Sequence, residues 1–280
     1  MSILQLSQIN IHPIKSCSSI SLSSATVDQL GLIGDRRFVL VDEQGLFITG
    51  RTYPQLTLIM IKQTAQGLTL NAPNMPNLLI NFSKFSSNYK KIQVWNDLIN
   101  AQHCAEAYDR WFSQFLSTPC QLMYFGEKSQ RLVKDYNDEV AFADGYPLLL
   151  ISQASLDDLN HKLKQQQLSP ITMSQFRTNL VIANGEAYQE DSWRHIRIGE
   201  AEFEVVKPCS RCVFTTVDPK TGEKHSEMQP LKTLRQYRAS RHKKGIMFGQ
   251  NLITIKQGTI KLNDTIEVLS TQTAEIYKIL

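Results

Sequence analysis

The sequence predicts a mainly β, α+β protein built as two barrel-like β domains, residues 1–125 and 126–280. Three observations predict it. Short apolar runs recur along the chain between Gly-, Asn- and Asp-containing turns; few segments have helical spacing; and strands do not alternate regularly with helices as a parallel α/β sheet requires.

The elements follow in order. Residues 3–14 alternate in part, as a strand does, and Phe38-Val39-Leu40-Val41 runs through Asp42-Glu43-Gln44-Gly45 into Leu46-Phe47-Ile48-Thr49, a hairpin pattern. Residues 56–62 and 68–71 form a second hairpin around Gln66-Gly67, and residues 91–95 a further strand. Ala107, Trp111 and Phe115 are spaced four apart, which predicts a helix over 105–116. After residues 121–125, Asp144-Gly145-Tyr146-Pro147 is turn chemistry ahead of the apolar run 148–151. Residues 152–166 read as a helix, with Ser155 and Asp158 as its capping pair. Strands are expected at 180–182, 196–198, 203–206 and 213–217, then a basic helix over 231–241, then strands near 252–255, 259–262 and 265–269.

Of the 280 residues, 42% are hydrophobic and 20% charged, which supports a sizeable core and excludes a disordered chain. The net charge of +4 is mild, so nucleic-acid or membrane binding requires local signals. Lys232, Arg235, Arg238, Arg241, Lys243 and Lys244 cluster just after Glu223 and Glu227. With only Tyr237 among them, they read as a solvated helix face or a dock for an acidic redox partner, not as a nucleic-acid surface. The first residues have no signal-peptide pattern, and no apolar run reaches the roughly 20 residues that cross a bilayer. The five cysteines are odd in number and a poor disulfide framework. A cytoplasmic protein with no membrane partner is the expectation.

Pro208-Cys209-Ser210-Arg211-Cys212 carries the most chemistry. A structural zinc site needs more ligands than this pair, and Cys17, Cys104 and Cys120 are isolated. A thioredoxin-type pair sits where a helix begins, whereas the β-branched run after Cys212 reads as strand. Two small cysteines that simply pack remain the plain alternative.

Together with His12-Pro13-Ile14-Lys15-Ser16, Gly34-Asp35-Arg36-Arg37-Phe38, Phe142-Ala143-Asp144-Gly145-Tyr146-Pro147, Phe176-Arg177-Thr178-Asn179 and Phe248-Gly249-Gln250-Asn251, this segment resembles the MOSC superfamily. MOSC denotes the molybdenum cofactor sulfurase C-terminal domain, and the resemblance is nearest to bacterial YcbX-type proteins and the mitochondrial amidoxime-reducing component. It runs along nearly the whole chain, with an N-terminal MOSC β-barrel followed by a MOSC domain. The resemblance implies a molybdenum–molybdopterin cofactor whose metal is held by Cys212, a soft donor suited to a sulfur-rich metal centre. It places Lys15, Ser16, Arg37 and Arg177 around pterin and phosphate, with Asn179 beside Arg177, and Ser210, Arg211, Gly145 and Asn251 at the cofactor. Only one of Arg36 and Arg37 should face the site, since neighbours in an extended strand point opposite ways. Asn251 stands where the mitochondrial relatives have an aromatic residue.

Asp144 is the candidate for acid–base work, its alternative role being to cap a turn. The implied activity is reduction, and so detoxification, of small N-hydroxylated compounds such as hydroxylamino bases and amidoximes. Electrons are expected from a separate flavin or iron–sulfur protein, since no Cys-rich iron–sulfur loop is read here. Rival readings are a non-catalytic carrier of the cofactor, a sulfur-transfer module (sulfurases work beside a pyridoxal-phosphate domain, not read in this sequence) and a zinc- or nucleic-acid-binding barrel.

Overall fold

In a computed structural model the protein is described over residues 3–242 and 245–278. It is mainly β, as expected, with three α-helices among the described residues. The largest sheet runs in the order Ile266–Thr271, Trp193–Ile198, Ala201–Arg211, Ile246–Lys256, Leu148–Ser152, Leu180–Ala183, Gln5–Ile11 and Ile20–Leu22. Of its strand pairs, Leu148–Ser152 with Leu180–Ala183 is parallel. A four-stranded sheet orders Phe38–Val41, Gln121–Tyr124, Asp97–His103 and Tyr89–Val94, and two three-stranded sheets complete the architecture.

Alternation decides which faces are dry. Leu6, Ile9, Leu150, Ile182, Ile196 and Phe203 meet in one core of the large sheet. Ile14, Phe38, Leu56, Leu70, Phe112 and Leu122 meet in a second core, under α1 (Glu106–Leu116). The expected boundary at 125/126 falls just after Gln121–Tyr124, but the sheets cross it. Gln5–Ile11 pairs with Leu180–Ala183, and Ser24–Asp28 pairs with Gly258–Lys261. The loop that follows Gln5–Ile11 is thereby set against C-terminal elements.

Local chemistry overrides the sequence pattern in several places. The expected strand at 213–217 is a 3-10 turn, Val213–Thr216, because hydroxyls bond back onto nearby carbonyls. Thr215 Oγ1 donates to Cys212 O at 2.9 Å and Thr216 Oγ1 to Val213 O at 2.7 Å, which outweighs β-branched propensity. Residues 54–58 likewise form a 3-10 turn, Pro54–Leu58, with the hairpin strand beginning later at Met60–Thr64. The helix α2 (Gln153–Gln165) is capped by Ser152, whose hydroxyl accepts from Ser155 N at 3.1 Å, and not by Ser155 with Asp158. The basic helix α3 (Leu231–Arg238) stops short of 241, at the strand Ala239–Ser240. Lys243 and Lys244 of the basic cluster lie outside the described residues.

Arg238 explains why that helix is not simply a solvated face. Its guanidinium is buried, bonds Asp191 through Nη1 at 2.7 Å and Nη2 at 3.1 Å, and donates from Nε to Met247 O at 3.0 Å. Gln250 Nε2 also donates to Asp191 Oδ1, at 2.6 Å. Replacing Asp191 with alanine strands a buried cation, so Asp191→Ala is expected to lose about 3–5 kcal/mol in a urea unfolding series. A loss under about 1 kcal/mol would put the pair with exposed bridges instead.

Candidate functional site

A cavity of about 160 Å3 lies where the His12–Ser16 loop, the turn after Met173–Phe176, the 209–212 segment and the 142–147 turn converge. It is lined by Lys15, Ser16, Asp144, Gly145, Arg177, Asn179, Ser210, Arg211, Cys212 and Asn251, all singled out in the sequence. It is also lined by Arg36, the neighbour set against Arg37 in the sequence, and by Arg51, Trp95 and Phe214, which were not singled out. An adjoining cavity of about 570 Å3 shares Thr49, Arg51 and Trp95 with it. Alone the first is smaller than the roughly 300–1,000 Å3 of usual ligand pockets, but the two together reach that range.

Left-handed turns aim the cations. Ser16 at φ 73, Arg36 at φ 47 and Arg177 at φ 56 all adopt the conformation that L-residues visit sparingly. Ser16 Oγ accepts from Gly50 N at 2.9 Å, tying its loop to the turn that carries Arg51. Gly50 packs so close to the Phe214 ring that any Cβ there would collide with it.

Arg36 and Arg37 face different ways, but from a turn rather than an extended strand and with the opposite choice to the one expected. Arg36 lines the cavity, bonding Asp35 at 2.5 Å, Asn179 Oδ1 at 3.0 Å and Arg177 O at 2.9 Å. Arg37 leaves it, pairs with Asp28 at 2.9 Å and lines a groove elsewhere with Tyr124 and Phe85. The left-handed turn at Arg36 rotates the pair, a detail that strand periodicity does not contain. Asn179 is buried and its amide is used within the protein. Oδ1 accepts from Leu149 N at 3.1 Å and Arg36, and Nδ2 donates to Asn10 O at 3.0 Å, so it positions Arg36.

Among the described lining residues, five cations (Lys15, Arg36, Arg51, Arg177, Arg211) face one carboxylate, Asp144. Asp144 accepts from Lys15 Nζ at 2.5 Å and Trp95 Nε1 at 3.4 Å, with Arg51 at 3.7 Å. Its side chain is 63% exposed, reached by solvent through the mouth although protein surrounds it. Burial alone would raise its pKa, yet Lys15, Arg51 and the indole together hold it well below the usual carboxylate range. Asp144 is therefore ionised at neutral pH and is no proton donor there. Burial pulls the Lys15 ammonium below its ordinary value, with Asp144 opposing. Lys15 also donates to Phe142 O at 2.7 Å.

The remaining cations are under-compensated. Burial and then Arg36 bring Arg177 down to about 10, still charged at neutral pH. Its Nη1 donates to Cys17 O at 2.6 Å, but Nη2 is buried without an acceptor, as is Arg211 Nε. Beneath them His12 is kept neutral by burial, then by Arg177 and Arg36. Such a set suits an anionic group with several acceptor oxygens.

Cys212 is half-buried at the head of its 3-10 turn, and Cys209 receives Arg211 Nη1 at 3.0 Å. Among the described residues no group of three or more His, Cys, Asp or Glu is placed to hold a metal ion. Arg51 and Trp95 were missed because each reaches the cavity from a turn whose sequence gives no hint of direction. Trp95 sits at φ 57 in the hairpin turn between Tyr89–Val94 and Asp97–His103, a conformation costing a side-chain-bearing residue roughly 1–2 kcal/mol.

Exposure and thiol chemistry give a direct check of the cysteines. Burial pushes Cys17 up to about 12 and Cys120 up to about 11, and raises Cys104 as well. At about pH 8, iodoacetamide is expected to label Cys209 and Cys212 in the folded protein and the other three only after unfolding, read by peptide mass mapping.

A family profile described as MOSC N-terminal beta barrel domain matches residues 3–119, and one described as MOSC domain matches residues 137–267. The chain is 34% identical to mitochondrial amidoxime-reducing component 1 of Homo sapiens, covering 94% of this chain and 82% of that protein. It is 32% identical to mitochondrial amidoxime reducing component 2 of Bos taurus, covering 93% and 82%. A solved structure, the YUAD protein from Bacillus subtilis, aligns over 95% of this chain and 94% of that one at 12% identity and a TM-score of 0.42. The chain belongs to the MOSC family, in the branch that joins a MOSC N-terminal β-barrel domain to a MOSC domain and includes the mitochondrial amidoxime-reducing components.

Proposed function

We propose that the protein binds a molybdenum–pterin cofactor through the Cys212 thiolate and reduces N-hydroxylated compounds with electrons from a separate donor protein. One observation carries the reading: Cys212 opens onto the same cavity as Lys15, Arg36, Arg177 and Arg211, two of whose buried nitrogens lack acceptors. A thiolate suits a soft metal and the guanidiniums suit a phosphate, so the residues present fit that group. The names of the amidoxime-reducing relatives support the substrate class.

In the proposed reaction R–NH–OH takes two electrons and two protons to give R–NH2 and water. When bound, the cofactor supplies the two-electron chemistry of N–O cleavage. The residues of the chain bind, orient and manage protons. Arg36, Arg177 and Arg211 fix the anionic part, and Asn179 fixes Arg36. Lys15 holds a proton at Nζ beside the site, where protonating the departing oxygen eases N–O cleavage. Asp144, ionised, keeps Lys15 charged and aimed.

With protein from a cofactor-competent host and reduced viologen dye as donor, the expected result is conversion of benzamidoxime to benzamidine, reduced to background in Cys212→Ala. Loaded protein that holds the cofactor without turnover would instead favour the carrier reading. The same assay tests the proton route. Asp144 raises the pKa of Lys15, so its removal lowers that pKa further. Asp144→Asn is therefore expected to shift the alkaline limb of the kcat/KM–pH profile toward neutrality. A limb that stays in place would remove Lys15 from the proton path.

A further inference from the structure

We infer that Trp95, with Arg51 stacked on it, selects N-hydroxylated substrates that carry a flat conjugated ring, by receiving that ring where the two cavities meet. The inference rests on the reduction reading above and assigns the part of the substrate that does not react. Trp95 and Arg51 line both the cavity of Cys212 and its larger neighbour, so a molecule spanning the two passes them. Beyond them the neighbour is walled by Phe47, Tyr53 and Pro119 together with Asp42, Glu43 and Gln44, which suits an apolar body with polar edges.

The indole is held in place before anything binds. The Arg51 guanidinium lies 4.2 Å from its ring centroid, and Phe47 meets it edge-on with centroids 4.8 Å apart. Its Nε1 donates to Asp144, which fixes the rotation of the ring. A ring fixed in advance loses little freedom on binding, and both an indole and a guanidinium plane favour a flat conjugated partner over an alkyl chain. The backbone adds an independent sign. Trp95 occupies a left-handed turn position that suits Asn or Gly, so the chain keeps a large ring there against local preference. The other two tryptophans, Trp111 and Trp193, are core residues at 6% and 2% exposure, whereas Trp95 is half-buried at the cavity mouth.

The test compares benzamidoxime with acetamidoxime on loaded wild type, Trp95→Asn and Trp95→Phe. Asparagine suits the left-handed turn, so it removes the ring and keeps the hairpin. The expected result is a roughly 5- to 10-fold fall in the preference for benzamidoxime in Trp95→Asn, expressed in KM, and recovery of most of it in Trp95→Phe. A preference that stays within about twofold of wild type in Trp95→Asn overturns the inference. Calorimetric titration with benzamidoxime separates this from failure of the reduction reading. If wild type turns over neither compound, that reading falls. Benzamidoxime binding that weakens several-fold in Trp95→Asn then still upholds the ring site, and equal or absent binding in both proteins overturns it.

Discussion

Like charges held together at the seam between sheets impose a cost that the rest of the site is arranged to meet. Arg36 donates to the backbone carbonyl of Arg177, and each guanidinium lowers the charge affinity of His12 below them. Among the described residues their carboxylate partners are few: Asp35 for Arg36, and Asp144 for Lys15 and Arg51. Positive charge concentrated in a partly dry cavity persists only where surrounding structure fixes it. Here strand pairing does so, with Gln5–Ile11 locked into the C-terminal sheet and its following loop carried against Arg177.

Asp144 is the counterweight. Its pKa is depressed, so the stabilisation it brings is complete above the ordinary carboxylate value and is lost as pH falls through the lowered one. Across the neutral range the cavity thus keeps one fixed negative charge at its mouth, Asp144, among five lining cations. The roles proposed for these groups follow from this order: arginines for binding, Lys15 for the proton, and Asp144 to hold Lys15.

How much of this was legible depends on the kind of signal. The mainly β architecture was readable because alternation and turn residues are short-range. The cavity residues were readable where a motif fixes them, as at Lys15, Arg177 and Cys212. What failed depends on directions that periodicity does not encode. Arg36 displaces Arg37 because one left-handed residue rotates the register. Residues 213–217 turn instead of extending because two threonine hydroxyls find nearby carbonyls. Arg51 and Trp95 arrive from hairpin and loop tips brought close only by tertiary packing. The pairing of Gln5–Ile11 with Leu180–Ala183 joins segments far apart in the chain, which no local pattern announces.

Cys212 is the proposed ligand to the metal of a pterin cofactor, and every other role proposed for the cavity depends on it. The most direct measurement is the molybdenum, zinc and pterin content of protein purified from a cofactor-competent host, wild type beside Cys212→Ser. Near-stoichiometric molybdenum with pterin in the wild type, and pterin retained with the metal lost or spectrally altered in the variant, is the predicted result. Zinc in place of molybdenum, or neither metal nor pterin in the wild type, would contradict it.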